Sequence, residues 1–218
     1  MTVEDLLNAA RQGDLQSLAR ILDAQPELLN ARNELGQSAV LLAKYHRQQA
    51  AVDSLLSRNP ELTLHEACAV GSIEQAQRTV RERGRLIDAH SKDGFTPLGL
   101  ACFFGHAALA EWLVNQGANV NLAASNAMKV APVHAAAAAR QTGIVAMLLA
   151  SGADVNARQQ AGFTALHAAA QNGDTELVKL LLAHGADPEA RSDNNQSPLD
   201  LAMLKGHGEA AALLDPAG

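Results

Sequence analysis

The string His65-Glu66-Ala67-Cys68-Ala69 holds the residue types of a metal site, since imidazole and thiolate bind zinc and a glutamate beside them can serve as a base. On a helix, two histidines four residues apart would grip one ion, but position 69 is alanine and the second histidine is missing. His65 and Cys68 alone supply two ligands where a structural zinc takes four. The chain has eight histidines, and His46, His90 and His184 have no neighbour at a ligand spacing. No G-x-G-x-x-G, G-x-x-x-x-G-K-[ST] or G-x-S-x-G string occurs, so phosphate cradles and nucleophile elbows find no support. The expectation is a chain with no catalytic residues, no cofactor and no metal.

The bulk properties narrow the class further. At 218 residues and 48% hydrophobic, the chain can bury a substantial core. Its 17 basic and 23 acidic residues leave a net charge of −6, which argues against nucleic acid as the partner. Charges interrupt every apolar run, so no membrane association is expected, and Glu4 and Asp5 stand where an export signal carries positive charge. Two cysteines are too few for a disulfide framework, so a cytoplasmic setting is expected.

The elements that position these residues repeat. FTPLGLACFFGHAALAEWLVNQGANVN from Phe95, VAPVHAAAAARQTGIVAMLLASGADVN from Val130, FTALHAAAQNGDTELVKLLLAHGADPE from Phe163 and QSPLDLAMLKGHGEAAALL from Gln196 lie over one another. Gly99, His134, His167 and Asp200 share one column, at steps of 35, 33 and 33 residues. Earlier in the chain, Leu7, Leu41 and His65 are assigned to it, with a short step of 24 from Leu41 to His65. Each unit opens on Thr or Ser before a short Ala/Leu-rich helix, which ends near a glycine such as Gly105 or Gly173. A second helix follows, with apolar residues at helical spacing, as in Leu177, Val178, Leu181 and Leu182. Neither helix is long enough to persist alone, so stacking of neighbours must supply the core.

The period, the T-x-L-H-x-A string of Thr164–Ala169 and the G-A-D-V-N-A connector of Gly152–Ala157 resemble the ankyrin repeat. The likeness extends over nearly the whole chain and is most specific in the last four units. It implies an all-α solenoid of about seven helix–turn–helix units with short β-hairpin-like fingers and a concave face. The units are placed at 1–32, 33–58, 59–90, 91–125, 126–158, 159–191 and 192–218, as one domain, with the finger missing near Asn59-Pro60 and a longer finger at Met128 and Lys129. By the same resemblance, His65, His134 and His167 form hydrogen bonds within and between units. Cys68 and Cys102 share a column of successive units and are expected to be free, because helices stack too far apart for a disulfide.

The resemblance also implies which residues face the concavity: the pair before each helix-ending glycine. These include Tyr45-His46, Val70, Phe103-Phe104 and Gln171-Asn172, with Phe95, Val130 and Phe163 on the inner side of the fingers and Met128 at a tip. An apolar centre with polar ends is the anatomy of a protein-binding surface, in which aromatic residues act as anchors. The expected function is therefore binding of a partner protein without catalysis, with a homodimer through the apolar patch as a variant. Two alternatives stay open: an effector acting on a protein of another cell, and an enzyme or metal-binding protein with His46 in a concave pocket. Alanine richness inclines the reading towards a bacterial source. The basic cluster Arg78, Arg81, Arg83 and Arg85 is read as complementing a helix C-terminus, and Trp112 as core.

Overall fold

The computed structural model describes residues 1–83 and 86–215. Among them are fourteen α-helices in seven pairs and no strand. The pairs are α1 (Val3–Gln12) with α2 (Leu15–Ala24), α3 (Ala39–Tyr45) with α4 (Gln49–Leu56), α5 (Leu64–Val70) with α6 (Ile73–Arg83), and α7 (Pro97–Phe103) with α8 (Ala107–Asn115). They continue as α9 (Pro132–Ala138) with α10 (Thr142–Ala150), α11 (Ala165–Asn172) with α12 (Thr175–Ala183), and α13 (Pro198–Leu204) with α14 (Gly208–Leu214). Residues Met1–Leu86 with Ser91–Asp93 form one compact unit, and Ile87–His90 with Gly94–Gly218 form another. Arg85 of the basic cluster lies outside the described residues.

Every first helix is short, and its ends explain why. Thr2, Ser38, Thr63, Thr96, Thr164 and Ser197 each accept a hydrogen bond from the backbone N–H three residues on, which starts the helix. At the other end the backbone turns left-handed, at φ +66° for Gly173 and +78° for Gly105, a conformation glycine takes at the least cost.

In the first unit, α1 packs on α2 and α3, and α3 on α4 and α5. Leu6, Leu7, Leu18, Ile21, Leu22, Leu55 and Leu64 are its largest fully buried side chains. In the second unit the first helices stack in the series α7, α9, α11, α13, and the second helices in the series α8, α10, α12, α14. Buried alanines at 101, 136, 137, 169 and 170 let those first helices approach closely, and Leu98, Leu109, Leu113, Leu148 and Leu166 fill the layer between helices. Trp112, expected in the core, is half-buried, as are Met147 and Leu180 at its place in later pairs.

The connectors carry the register between pairs. Asn121 donates from Nδ2 to the Gly152 carbonyl at 3.1 Å and accepts from Asp154 N at 2.8 Å. Asn156 repeats both bonds one unit on, to Gly185 and Asp187. The fingers close on themselves through Ala124 N to Val130 O, Gln159 N to Phe163 O and Ser192 N to Gln196 O. Single bonds tie each finger to the next: Ser125 N to Gly94 O, Gln160 N to Met128 O and Asp193 N to Ala161 O. These isolated bonds form no ladder, which is why the hairpin-like fingers contain no strand among the described residues; an isolated bridge, Arg32 to Ser38, is in the first unit.

Candidate functional site

Histidine chemistry resolves into architecture. His134 and His167 are the third residues of α9 and α11. The Nδ1 of His134 accepts from Ala131 N at 3.1 Å, while its Nε2 donates to the Ala157 carbonyl at 2.8 Å. His167 does the same with Thr164 N at 3.2 Å and the Gln196 carbonyl at 3.1 Å. Each ring thus closes its own helix start and fastens the following connector. A carbonyl can only accept, so Nε2 carries the proton and the ring is neutral. Burial lowers both imidazole pKa values below their ordinary 6.5, although the carbonyl bonds pull the other way.

In α5 the place that closes the helix start falls on the residue after His65, and here the sequence register needs correction. Helix α5 starts at the Thr63 cap, so the third position belongs to Glu66, which accepts from Thr63 N at 2.7 Å. In α1 the third position is Asp5, behind Thr2, rather than Leu7. The sequence columns were aligned on the helix-ending glycines, whereas α5 is a residue shorter than α7 between cap and glycine and α1 is longer, and the cap sets which side chain reaches back.

Glu66 has a second partner. Arg32 Nη2 meets its Oε2 at 2.6 Å and also donates to the Glu61 carbonyl at 3.1 Å. The Glu66 side chain is 1% exposed, and Asn30 Oδ1 accepts from Glu61 N at 2.8 Å. The finger missing near Asn59-Pro60 is therefore replaced by side chains from the preceding connector. Asn59, at φ +58°, makes the tight turn. The same unit contains Tyr45, half-buried, whose hydroxyl donates to Asp93 Oδ2 at 3.1 Å; Gln37 and Ser91 bind the same carboxylate. Burial, and next the adjacent Asp93 charge, push the phenol well above its usual pKa. His46 is exposed at the end of α3, and Val70 is half-buried as the last residue of α5.

The second unit holds the aromatic row. Phe103 ends α7 and is 45% exposed, while Phe104 is half-buried. Their rings meet edge to face, 5.1 Å apart and inclined at 84°. Phe95 and Val130 are half-buried in the fingers. Phe163, also half-buried, lies against the His167 ring at 5.0 Å. Met128 is 43% exposed. Gln171 is exposed, whereas Asn172 is half-buried, and the Asn172 carbonyl accepts from the Arg140 guanidinium.

The row's last members were expected to be polar. Instead Leu204 is 69% exposed and Met203 66%. Also unforeseen were arginines in the left-handed place that glycine takes at Gly105, Gly173 and Gly206: Arg47 at φ +59° and Arg140 at φ +58°. The signal was present in that alignment column, where a charged residue replaces glycine.

Cys68 and Cys102 are buried and not joined in a disulfide, and burial pushes the Cys102 thiol up to about 12, far from a reactive thiolate. Among the described residues no group of three or more His, Cys, Asp or Glu is placed to hold a metal. Two shallow clefts of about 330 and 520 Å³ in the first unit are lined by residues that do not include His46. No helix among the described residues is long and apolar enough to cross a membrane.

The family model described as "Ankyrin repeats (3 copies)" matches residues 64–159 and 138–217. The chain belongs to the ankyrin-repeat family. Neurogenic locus notch homolog protein 1 of Xenopus tropicalis is 32% identical over 140 residues, 59% of this chain and 5% of that protein. The protein of the same name from Xenopus laevis is 31% identical over 152 residues, 64% of this chain and 6% of that protein. The chain thus spans about a twentieth of the length of these relatives. Ankyrin repeats are in general protein–protein interaction modules and in general not enzymes.

Proposed function

We propose that this ankyrin-repeat chain binds a partner protein without catalysis, and that Phe103 and Phe104, with Phe95, Val130 and Met128 on the adjoining fingers, form the centre of the contact surface. The observation that carries the reading is the exposure of Phe103, 45% on a helix end whose own fold does not require it. A chain with four phenylalanines that places one outward and braces it against a second spends apolar surface where water is the alternative neighbour. Backbone capping at both ends of each first helix keeps the row ordered before any partner arrives, which reduces the entropy lost on binding.

The test is retention of a partner from cell lysate by the wild type and by the Phe103→Ala/Phe104→Ala double variant, after both are matched by thermal melt. The expected result is a protein retained by the wild type and lost by the variant, with binding weakened by roughly 2 kcal/mol or more per anchor. Equal retention by two equally folded baits would move the contact surface away from these rings.

A further inference from the structure

The charges of the second unit are spread unevenly over its elements, with Lys179 of α12 as the one cation on a second helix among the described residues. Lys129 at a finger tip, Arg140 after α9, Arg158 at the foot of a finger and Lys205 after α13 are all exposed, and they belong to the fingers and first-helix ends that also carry Phe103, Phe104, Met128 and Leu204. No carboxylate lies within ion-pair distance of any of the four among the described residues; Arg140 and Arg158 donate to the carbonyls of Asn172 and Arg191, and Arg158 has the Asp193 carboxylate near it across Gly162. Arg191, a fifth cation of these fingers and helix ends, is already paired with Asp200. Carboxylates near the row are mostly engaged as caps: Asp174 accepts from Leu177 N at 3.1 Å and Asp200 from Ser197 N at 2.8 Å, and Asp193 is the exposed exception at a finger tip. Glu111, Glu176 and Glu209 belong to the second helices, and Asp154 and Asp187 to the loops that follow them.

Two of those four cations occupy backbone that glycine would take at lower cost. Lys129 sits at φ +50° and Arg140 at φ +58°, in the left-handed region that disfavours a side chain. Arg140 holds the helix-end position that is glycine in α7, α11 and α13. A strained position kept by a cation, beside exposed aromatic and aliphatic side chains, is what a surface needs to receive negative charge next to apolar groups. Phosphate-backbone recognition would instead call for an excess of positive charge, and the chain as a whole is at −6.

Resting on the contact surface proposed above, we infer that the partner presents an acidic segment in which aspartate or glutamate alternates with bulky apolar side chains. The apolar groups seat against Phe103, Phe104 and Met128, and the carboxylates meet Lys129, Arg140 and Lys205. Like charge on the second helices directs such a segment away from them and towards the fingers and first-helix ends.

The experiment is selection of peptides from a displayed random library on the full chain, followed by titration of the selected peptides, labelled, against variants matched by thermal melt. The expected peptides are enriched in acidic residues beside Phe, Trp, Leu or Ile. Lys129→Glu/Arg140→Glu/Lys205→Glu weakens them about tenfold or more and removes most of their salt dependence. The milder Lys129→Gln/Arg140→Gln/Lys205→Gln keeps the test open if charge reversal perturbs folding. Phe103→Ala/Phe104→Ala weakens the same peptides about thirtyfold or more. Peptides that need the phenylalanines but ignore the charge variants would overturn the acidic partner and leave the contact surface standing. Peptides indifferent to both sets, or no selectable peptide, would overturn both. A labelled single-stranded DNA that binds and is released by charge reversal would replace the acidic protein with nucleic acid, and a concentration-dependent dimer lost in Phe103→Ala/Phe104→Ala would replace it with a second copy of this chain.

Discussion

The starts of α5 and α11 solve one problem with different chemistry. In α11, His167 is neutral, closes its own helix and fastens a full-length connector through the Gln196 carbonyl. In α5, where the connector is short, Glu66 closes the helix and its charge is answered by Arg32 from the connector before. The first solution is local in charge and recurs at α9 and α11; the second needs a half-buried arginine on a buried carboxylate, reached from 34 residues away. A missing finger is therefore not empty space but a change in what must be satisfied, because a buried helix start cannot leave its N–H groups without acceptors.

That comparison can be broken most forcefully at Glu66. Glu66→Ala should destabilise the first unit by about 3 kcal/mol, since it strands Arg32 and uncaps α5, whereas Arg32→Met with Glu66→Leu should recover much of the loss. Urea denaturation of the single and double variants measures both. His167→Ala should cost the second unit about 2–3 kcal/mol, by removing a buried ring bonded at both nitrogens.

Acidification should separate the two solutions without mutation. The folded-state pKa values of His134 and His167 are depressed below 6.5, so their contribution is fully present above 6.5 and falls away as pH drops through the folded values. In the first unit the lowered carboxyl groups are Asp5 and Asp14, held below 3.8 by hydrogen bonds from Thr2 and Ser17, so that loss begins only in stronger acid. Residue-resolved hydrogen exchange between pH 7 and pH 5 should show the α9–α11 region weakening first, and His134→Gln/His167→Gln should flatten the effect. Smaller again is Tyr45→Phe, which removes the bond to Asp93 and should cost about 1 kcal/mol by denaturant midpoint. Finally, Ala131 is the cap of α9 without a hydroxyl. Ala131→Ser should raise stability by about 0.5–1 kcal/mol, and a neutral result would mean that His134 alone suffices there.

Much of the architecture was legible because its causes are local. Thr164 before a short apolar run, Gly173 after it and the Asn156 connector each impose backbone geometry from a few adjacent residues, and their recurrence at 33 residues announced the stack. The site was legible in part. Phe103 and Phe104 stood out as a doublet before a glycine, yet their sequence says nothing of which ring is exposed. Tyr45 read as an equal of those rings, and its tie to Asp93, 48 residues later, had no sequence signal.

The sequence by itself determined the seven helix pairs, the family and the column of residues from which a contact surface could be built, since capping, helical period and turn chemistry act over a handful of neighbours. Tertiary structure alone decided that Arg32 reaches Glu66 where a finger is missing, and that Phe103 faces outward while Phe104 is half-buried beside it. Those outcomes depend on which distant groups come within hydrogen-bond or packing distance, and such distances are set only once the helices have stacked.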